Sequence, residues 1–386
     1  MTGGNTFQWK VALILFGVLF LGVSDTQLVP PLLSTISGQF QVTPGQAGII
    51  VTSYSLAAAV FALFAGPLSD RVGRKLVLAG GLTLFTVASF ATYQVTTLAG
   101  LTVVRTLTGF AAGTLSTCAL SFAGDHYSYA QRGRAMGVLS MAYFLAFIIA
   151  APAAALVTPR WGWQSVFGTL AAVAAGILVL VMTQLPPTPP RIGHASSVSS
   201  IGDHFLKPER LAGMIAAFLT SGGLVGYLTY VGAWLANEQH IALERIALIF
   251  MLSGAAAVGA SPLSGWLADH AGKRNVIIGA NIGLAPLFLL VARLDWGWPL
   301  WIGIAGIGVA ASARQAPLHA LTTEIVGTEI RGEYTALRNA ASQIGIAAAA
   351  ALSARVFDAA GFAGVSIVAA GLTALVPITC VWLRER

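Results

Sequence analysis

Apolar runs of about 20 residues follow one another along the whole 386-residue chain, separated by short polar turns. Twelve can be placed, near 11–33, 44–66, 75–94, 97–121, 133–157, 163–185, 209–236, 243–266, 274–293, 298–322, 332–356 and 361–383. A helix of about 20 residues spans the hydrocarbon core of a bilayer. Within lipid each backbone N–H and C=O must be bonded inside its own segment, so long unbroken runs demand α-helix. A membrane β-barrel would show short alternating segments instead. Only 9% of the residues are charged, against about a quarter in soluble domains. The expectation is an all-α membrane protein of twelve helices, whose 43 glycines suit close helix approach in lipid.

The chain is also a repeat. Gly66-Pro67-Leu68-Ser69-Asp70-Arg71-Val72-Gly73-Arg74-Lys75 returns 199 residues later as Gly265-Trp266-Leu267-Ala268-Asp269-His270-Ala271-Gly272-Lys273-Arg274. Arg132-Gly133 returns at the same offset as Arg331-Gly332. Such internal repeats in membrane proteins point to transporters. Between the copies, Pro186-Pro187-Thr188-Pro189-Pro190 and a serine cluster break the apolar pattern. This divides the chain into a six-helix bundle over 1–185, a linker over 186–208 and a second six-helix bundle over 209–386.

Lys10, Arg71, Arg74, Lys75, Arg132, Arg134, Arg191, Lys207, Arg210, Lys273, Arg274, Arg331, Arg384 and Arg386 fall on one side of such a bundle. Arg160, Arg245, Arg293 and Arg355 fall on the other. Basic loops stay inside, so both termini are expected in the cytoplasm. The net charge of +7 therefore reflects topology, not nucleic-acid binding. Cys118 and Cys380 both lie in apolar runs and indicate no disulfide framework. No cleavable signal peptide is expected, because the first apolar run is too long. The short loops and lack of organelle signals suggest a bacterial inner membrane.

With twelve helices, a central linker and a duplicated turn motif, the chain resembles the major facilitator superfamily. Gly66-x-Leu68-x-Asp70-Arg71-x-Gly73-Arg74-Lys75 is similar to that family's helix 2–3 signature. Asp25 in helix 1, Arg105-x-x-x-Gly109-x-x-x-Gly113 in helix 4 and Pro152 in helix 5 bring it nearer the twelve-helix drug and sugar efflux branch. Two departures stand out. Helix 5 reads Ala146-Phe147-Ile148-Ile149-Ala150-Ala151-Pro152-Ala153-Ala154-Ala155, with alanine where the efflux branch carries glycine. His270 stands where the first copy has Arg71.

Asp25 lies mid-helix among apolar residues. A charge at the bilayer centre costs about 2.5–3.5 kcal/mol on insertion scales, so it should meet a cavity or a partner. It is either a proton-coupling carboxylate or a fixed packing ion. Arg105, Gly109 and Gly113 make one helical stripe. The resemblance puts helices 1 and 4 on the cavity, so Asp25 and Arg105 are expected to pair and to couple proton to substrate.

Arg314, Gln315 and His319 on helix 10, with Arg338, Asn339, Ser342 and Gln343 on helix 11, offer donors for a polar substrate. His319 is a second candidate proton carrier, and Arg338 alternatively snorkels to the interface. Tyr54, Tyr143, Tyr227 and Tyr230 are expected to line an amphipathic pocket, with Trp234 anchored at the outer interface. Gly66, Asp70, Arg71, Gly73, Arg74 and Asp269 are assigned to gating. By resemblance Asp70 would meet the start of helix 11, where the helix dipole favours a carboxylate. Gly66 would permit close approach, and Gly73 the turn.

No metal cluster, phosphate loop or catalytic triad is evident, so no enzymatic activity and no cofactor beyond a proton gradient are expected. The resemblance implies a monomeric secondary transporter, a proton-coupled antiporter exporting a small drug-like or sugar-like molecule by alternating access. An uptake symporter or uniporter, a lipid or lysolipid translocase and a transport-dead membrane sensor remain competing readings.

Overall fold

A computed structural model describes residues 7–188, 207–326 and 331–383. Most of the expected linker, 189–206, and the termini with Arg384 and Arg386 lie outside the described residues. The helices are α1 Trp9–Phe40, α2 Ile49–Val72, α3 Arg74–Ala91, α4 Leu98–His126, α5 Tyr129–Trp161, α6 Gln164–Gln184, α7 Pro208–Asn237, α8 Leu243–Ala271, α9 Lys273–Val291 and α10 Trp298–Glu324. A last helical segment, Arg331–Thr379, is broken at Gly361 (φ 65°, ψ −166°) into α11 and α12. Among the described residues there is no strand.

Ten segments are long and apolar enough to cross a bilayer, the last being the double-length 333–379. Of the twelve expected spans, α10 falls outside this set. At 27 residues it is long enough, but Arg314, Gln315 and His319 lower its hydropathy. Large apolar side chains cover the outside, with Phe64, Ile282, Ile302 and Ile367 all more than 60% exposed. Such a surface is compatible with lipid and not with water.

Helix ends run further than hydropathy suggests. α1 continues to Phe40 through Pro30 and Pro31, and its last turns pack against α7, where Gly232 meets Pro30 and Ser34 bonds Asn237. The turn into α2 begins with a capping box, in which Thr43 Oγ1 accepts from the Gln46 amide and Gln46 Oε1 accepts from the Thr43 amide.

Packing repeats with the sequence. α2 lies along α4 and α8 along α10, while α1 lies along α5 and α7 along α11. A Cβ on Gly109 would overlap the Tyr54 carbonyl oxygen, and one on Gly308 would overlap the Ser253 carbonyl oxygen. Both residues of the second pair sit 199 positions after those of the first. The two sets of six helices meet through α1 with α7, α2 with α11 and α5 with α8.

Candidate transport site

The stripe on α4 positions a buried ion pair. Gly109 and Gly113 press against the Tyr54 and Ala58 carbonyls of α2, so the small residues accommodate a helix. This sets Arg105, one turn earlier, against α1. Its Nη1 donates to Asp25 Oδ1 at 2.6 Å, with the two side chains 2% and 0% exposed. The guanidinium lies over the Tyr54 ring at 4.5 Å and near Phe167 at 5.4 Å, a cation–π arrangement suited to a dry site. Tyr54 donates to the Gly22 carbonyl at 3.2 Å. Thus Tyr54, expected to line the pocket, floors the ion pair. Asp25 Oδ2, Arg105 Nε and Ser24 Oγ have no hydrogen-bond partner.

A second polar node joins α7, α9, α10 and α11. Arg314, fully buried, donates to Asn281 Oδ1 at 2.7 Å and to the Thr220 carbonyl at 3.0 Å. Asn281 donates to the Ile277 carbonyl at 2.7 Å. Arg338 Nη1 lies 3.0 Å from His319 Nδ1, and His319 Nε2 faces the Gln315 amide at 3.1 Å. Ser342, one turn beyond Arg338, bonds Ser221 of α7. Arg338 is buried at 4% exposure and does not snorkel. Gln315 and His319 are exposed, and Tyr143 on α5 is 39% exposed within electrostatic reach of Arg338. Asn339 and Gln343 are half-buried, with Gln343 Oε1 unpartnered.

The α7 aromatics sit elsewhere. Tyr227 packs on Phe288 and Phe362, with ring centroids 4.5 and 4.9 Å away. Tyr230 stacks on Phe357 and donates to the Ala350 carbonyl at 3.2 Å. Both are buried in apolar packing rather than facing the polar node. Trp234 is 3% exposed and stacked on Phe362 at 4.5 Å. The interface reading of Trp234 is therefore corrected, because α12 folds over the face on which it lies.

At the basic end both copies of the turn are built on a glycine and an ion pair. Gly73 (φ 104°) and Gly272 (φ 84°) both adopt a backbone that favours glycine. Arg74 bonds Asp70 at 2.9 Å and also pairs with Asp125 at the end of α4. In the second copy, Lys273 pairs with Glu324 at 2.5 Å. Asp125 and Glu324 escaped the sequence reading, although they too stand 199 residues apart. Lys75 Nζ donates to the Met182 and Leu185 carbonyls at 2.8 and 2.7 Å. Arg71 and Asp269 are exposed. A Cβ on Gly66 would meet Thr117 at an ordinary 3.9 Å.

At the opposite end the two sets of helices lock together. Asp358 of α11 accepts from the Gly45 amide at 3.0 Å and from Thr43 Oγ1 at 2.6 Å, while Ser34 bonds Asn237 at 2.5 Å. A Cβ on Gly232 would overlap the Pro30 carbonyl, and one on Gly48 would overlap Tyr230 Oη. Among the described residues, the side-chain hydrogen bonds linking the first six helices to the last six all lie at this end. Asp358, too, escaped the sequence reading, since nothing near it in the chain announces a partner 313 residues away.

The Major Facilitator Superfamily profile matches residues 15–240 and 213–386. The chain is 26% identical over 379 residues to a "Probable sugar efflux transporter" of Pasteurella multocida, covering 94% of this chain and 89% of the relative. It is 24% identical over 282 residues to a "Bicyclomycin resistance protein homolog" of Haemophilus influenzae, covering 70% of each. The crystal structure of a D-xylose-proton symporter superposes with a TM-score of 0.83 at 15% identity, covering 98% of both chains. A helical fold that repeats at a fixed offset and this family match lead to one conclusion: the chain is an integral membrane transporter of the Major Facilitator Superfamily, beside its drug and sugar efflux branch.

Proposed function

We propose that this transporter exports a small organic molecule in exchange for protons, by alternating access. The observation that carries the reading is the buried Asp25–Arg105 pair, whose second carboxylate oxygen Oδ2 has no partner. A proton arriving at Asp25 would neutralise it and release Arg105, while loss of the proton would re-form the pair. Either state could be linked to substrate. Buried charges inside a membrane usually serve such work, because their insertion is costly. The names of the relatives support efflux of a sugar-like or drug-like compound.

In this reading the basic end faces the cytoplasm of a bacterial cell, and 1–185 and 209–386 are two rocking bundles joined by the 186–208 linker. The lock at Asp358 then makes the described conformation an inward-facing one. Arg74, Asp70 and Gly73, with Gly66, Arg71 and Asp269, belong to the cytoplasmic gate, and the protein works as a monomer. Tyr54, Tyr143, Tyr227, Tyr230, Arg314, Gln315, His319, Asn339 and Gln343 remain the proposed substrate surface, directly or as its support.

The test is proton movement in proteoliposomes loaded with candidate sugars and drug-like compounds, comparing wild type with Asp25→Asn. Substrate-dependent proton flux that vanishes in the variant is expected. Unchanged flux would remove Asp25 as the carrier, and substrate transport without any proton movement would defeat the antiport reading.

A further inference from the structure

The buried charges of the two sets of helices do not balance. Asp25 and Arg105 neutralise each other at 2.6 Å. Arg314 and Arg338 are as deeply buried, at 0% and 4% exposure, yet neither forms an ion pair with a described carboxylate. Arg314 is held by neutral groups, the Asn281 amide oxygen and the Thr220 carbonyl. Arg338 is held by a histidine ring. Both Nε atoms lack a hydrogen-bond partner, as do Gln343 Oε1 on α11 and Thr220 Oγ1 on α7.

An ion removed from water without a counter-charge costs several kcal/mol. Each of these two cations is therefore expensive unless an anion visits it. The node is reachable. His319 touches Arg338, and both His319 and its hydrogen-bond partner Gln315 are exposed. The Ser221–Ser342 bond ties the same stretch of α7 that holds Arg314 to the turn of α11 after Arg338. The residues that hold the two arginines are thus joined across α7 and α11. Guanidinium groups bind carboxylate and phosphate oxygens in fixed, forked geometry.

We propose that the transported molecule is an organic oxyanion, a small compound bearing a carboxylate or phosphate, whose charge is received by Arg314 and Arg338. Gln315, His319 and Gln343 then hydrogen-bond its neutral polar groups. The proposal rests on this node being the transport site, as proposed above, but not on proton coupling.

The test is equilibrium binding to the purified full chain in detergent, followed by tryptophan fluorescence and by the shift in melting temperature. Two series of similar scaffold and different charge serve as probes: D-gluconate, glucose 6-phosphate, D-glucose and D-glucosamine; and benzoate, phenyl phosphate, benzyl alcohol and benzylamine. At least one acid is expected to bind tenfold or more tightly than its uncharged analogue, with the amine weakest. The carboxylate and phosphate arms separate the two oxyanions. Arg338→Gln and Arg314→Gln are expected to cut the acid-over-neutral preference at least tenfold, and Arg314→Lys to keep part of it. If the glutamine variants do not fold, the wild-type ranking decides alone. Equal or tighter binding of the neutral or amine probes, binding by no probe, or full acid preference in folded glutamine variants would overturn the proposal. Because no proton gradient is involved, acid preference without proton flux would defeat coupling alone, and proton flux with amine preference would defeat the oxyanion alone.

Discussion

The Asp358 carboxylate accepts a hydrogen bond from the Gly45 amide at 3.0 Å, so the end of α11 caps the turn that opens α2. Thr43 Oγ1 adds a second bond to the same carboxylate at 2.6 Å. Hydrogen bonds to a charged acceptor contribute about 1.5–3 kcal/mol. Asp358→Asn weakens both and should shift the population toward opening at this end by about tenfold or more, at about 1.4 kcal/mol per tenfold. Spin labels at Thr35 and Arg355, both exposed, read the change as a growing long-distance population. An unchanged distance distribution would show that Pro30 against Gly232 holds the end shut without Asp358.

The Asp25–Arg105 pair predicts a non-additive cycle. Arg105→Gln leaves a buried carboxylate unpaired and is expected to destabilise by about 3–5 kcal/mol. Adding Asp25→Asn removes the stranded charge and should recover much of the loss. Melting in detergent of the wild type, both single variants and the double variant measures the coupling.

Gly109→Ala and Gly308→Ala should be similarly harmful, because each drives a methyl group into a carbonyl oxygen of the facing helix. Overpacking of this kind costs about 1–3 kcal/mol. Gly371→Ala is the control, since nothing lies within 4 Å of a Cβ there. Equal melting temperatures across the three variants would disprove the close-approach account.

Arg74→Gln should slow transport more than Lys273→Gln, although the two residues occupy the same place in the repeat. The Arg74 side chain is 11% exposed and joins Asp70 and Asp125, whereas Lys273 and Glu324 are 27% and 41% exposed. Exposed ion pairs contribute about 0–1 kcal/mol. Initial rates in proteoliposomes, corrected for the amount of folded protein, make the comparison.

Hydropathy, repeat offset and glycine punctuation are local properties, and they were enough to read twelve helices, the duplicated turn and the α4 stripe from the chain. Gly73 and Gly272 announced their turns because only the backbone beside them matters. Asp25 and Arg105 could be singled out for the same reason: a charge in an apolar run is visible without knowing its surroundings. Partnership is not local. Asp25 lies 80 residues from Arg105, and Asp358 lies 313 from Gly45. Whether Arg314 and Arg338 have a counter-ion depends on what every neighbouring helix brings to them. Tyr227, Tyr230 and Trp234 share a helix face that reads equally well as a pocket, a lipid anchor or a core. Only the tertiary structure shows Phe288, Phe357 and Phe362 packed against them.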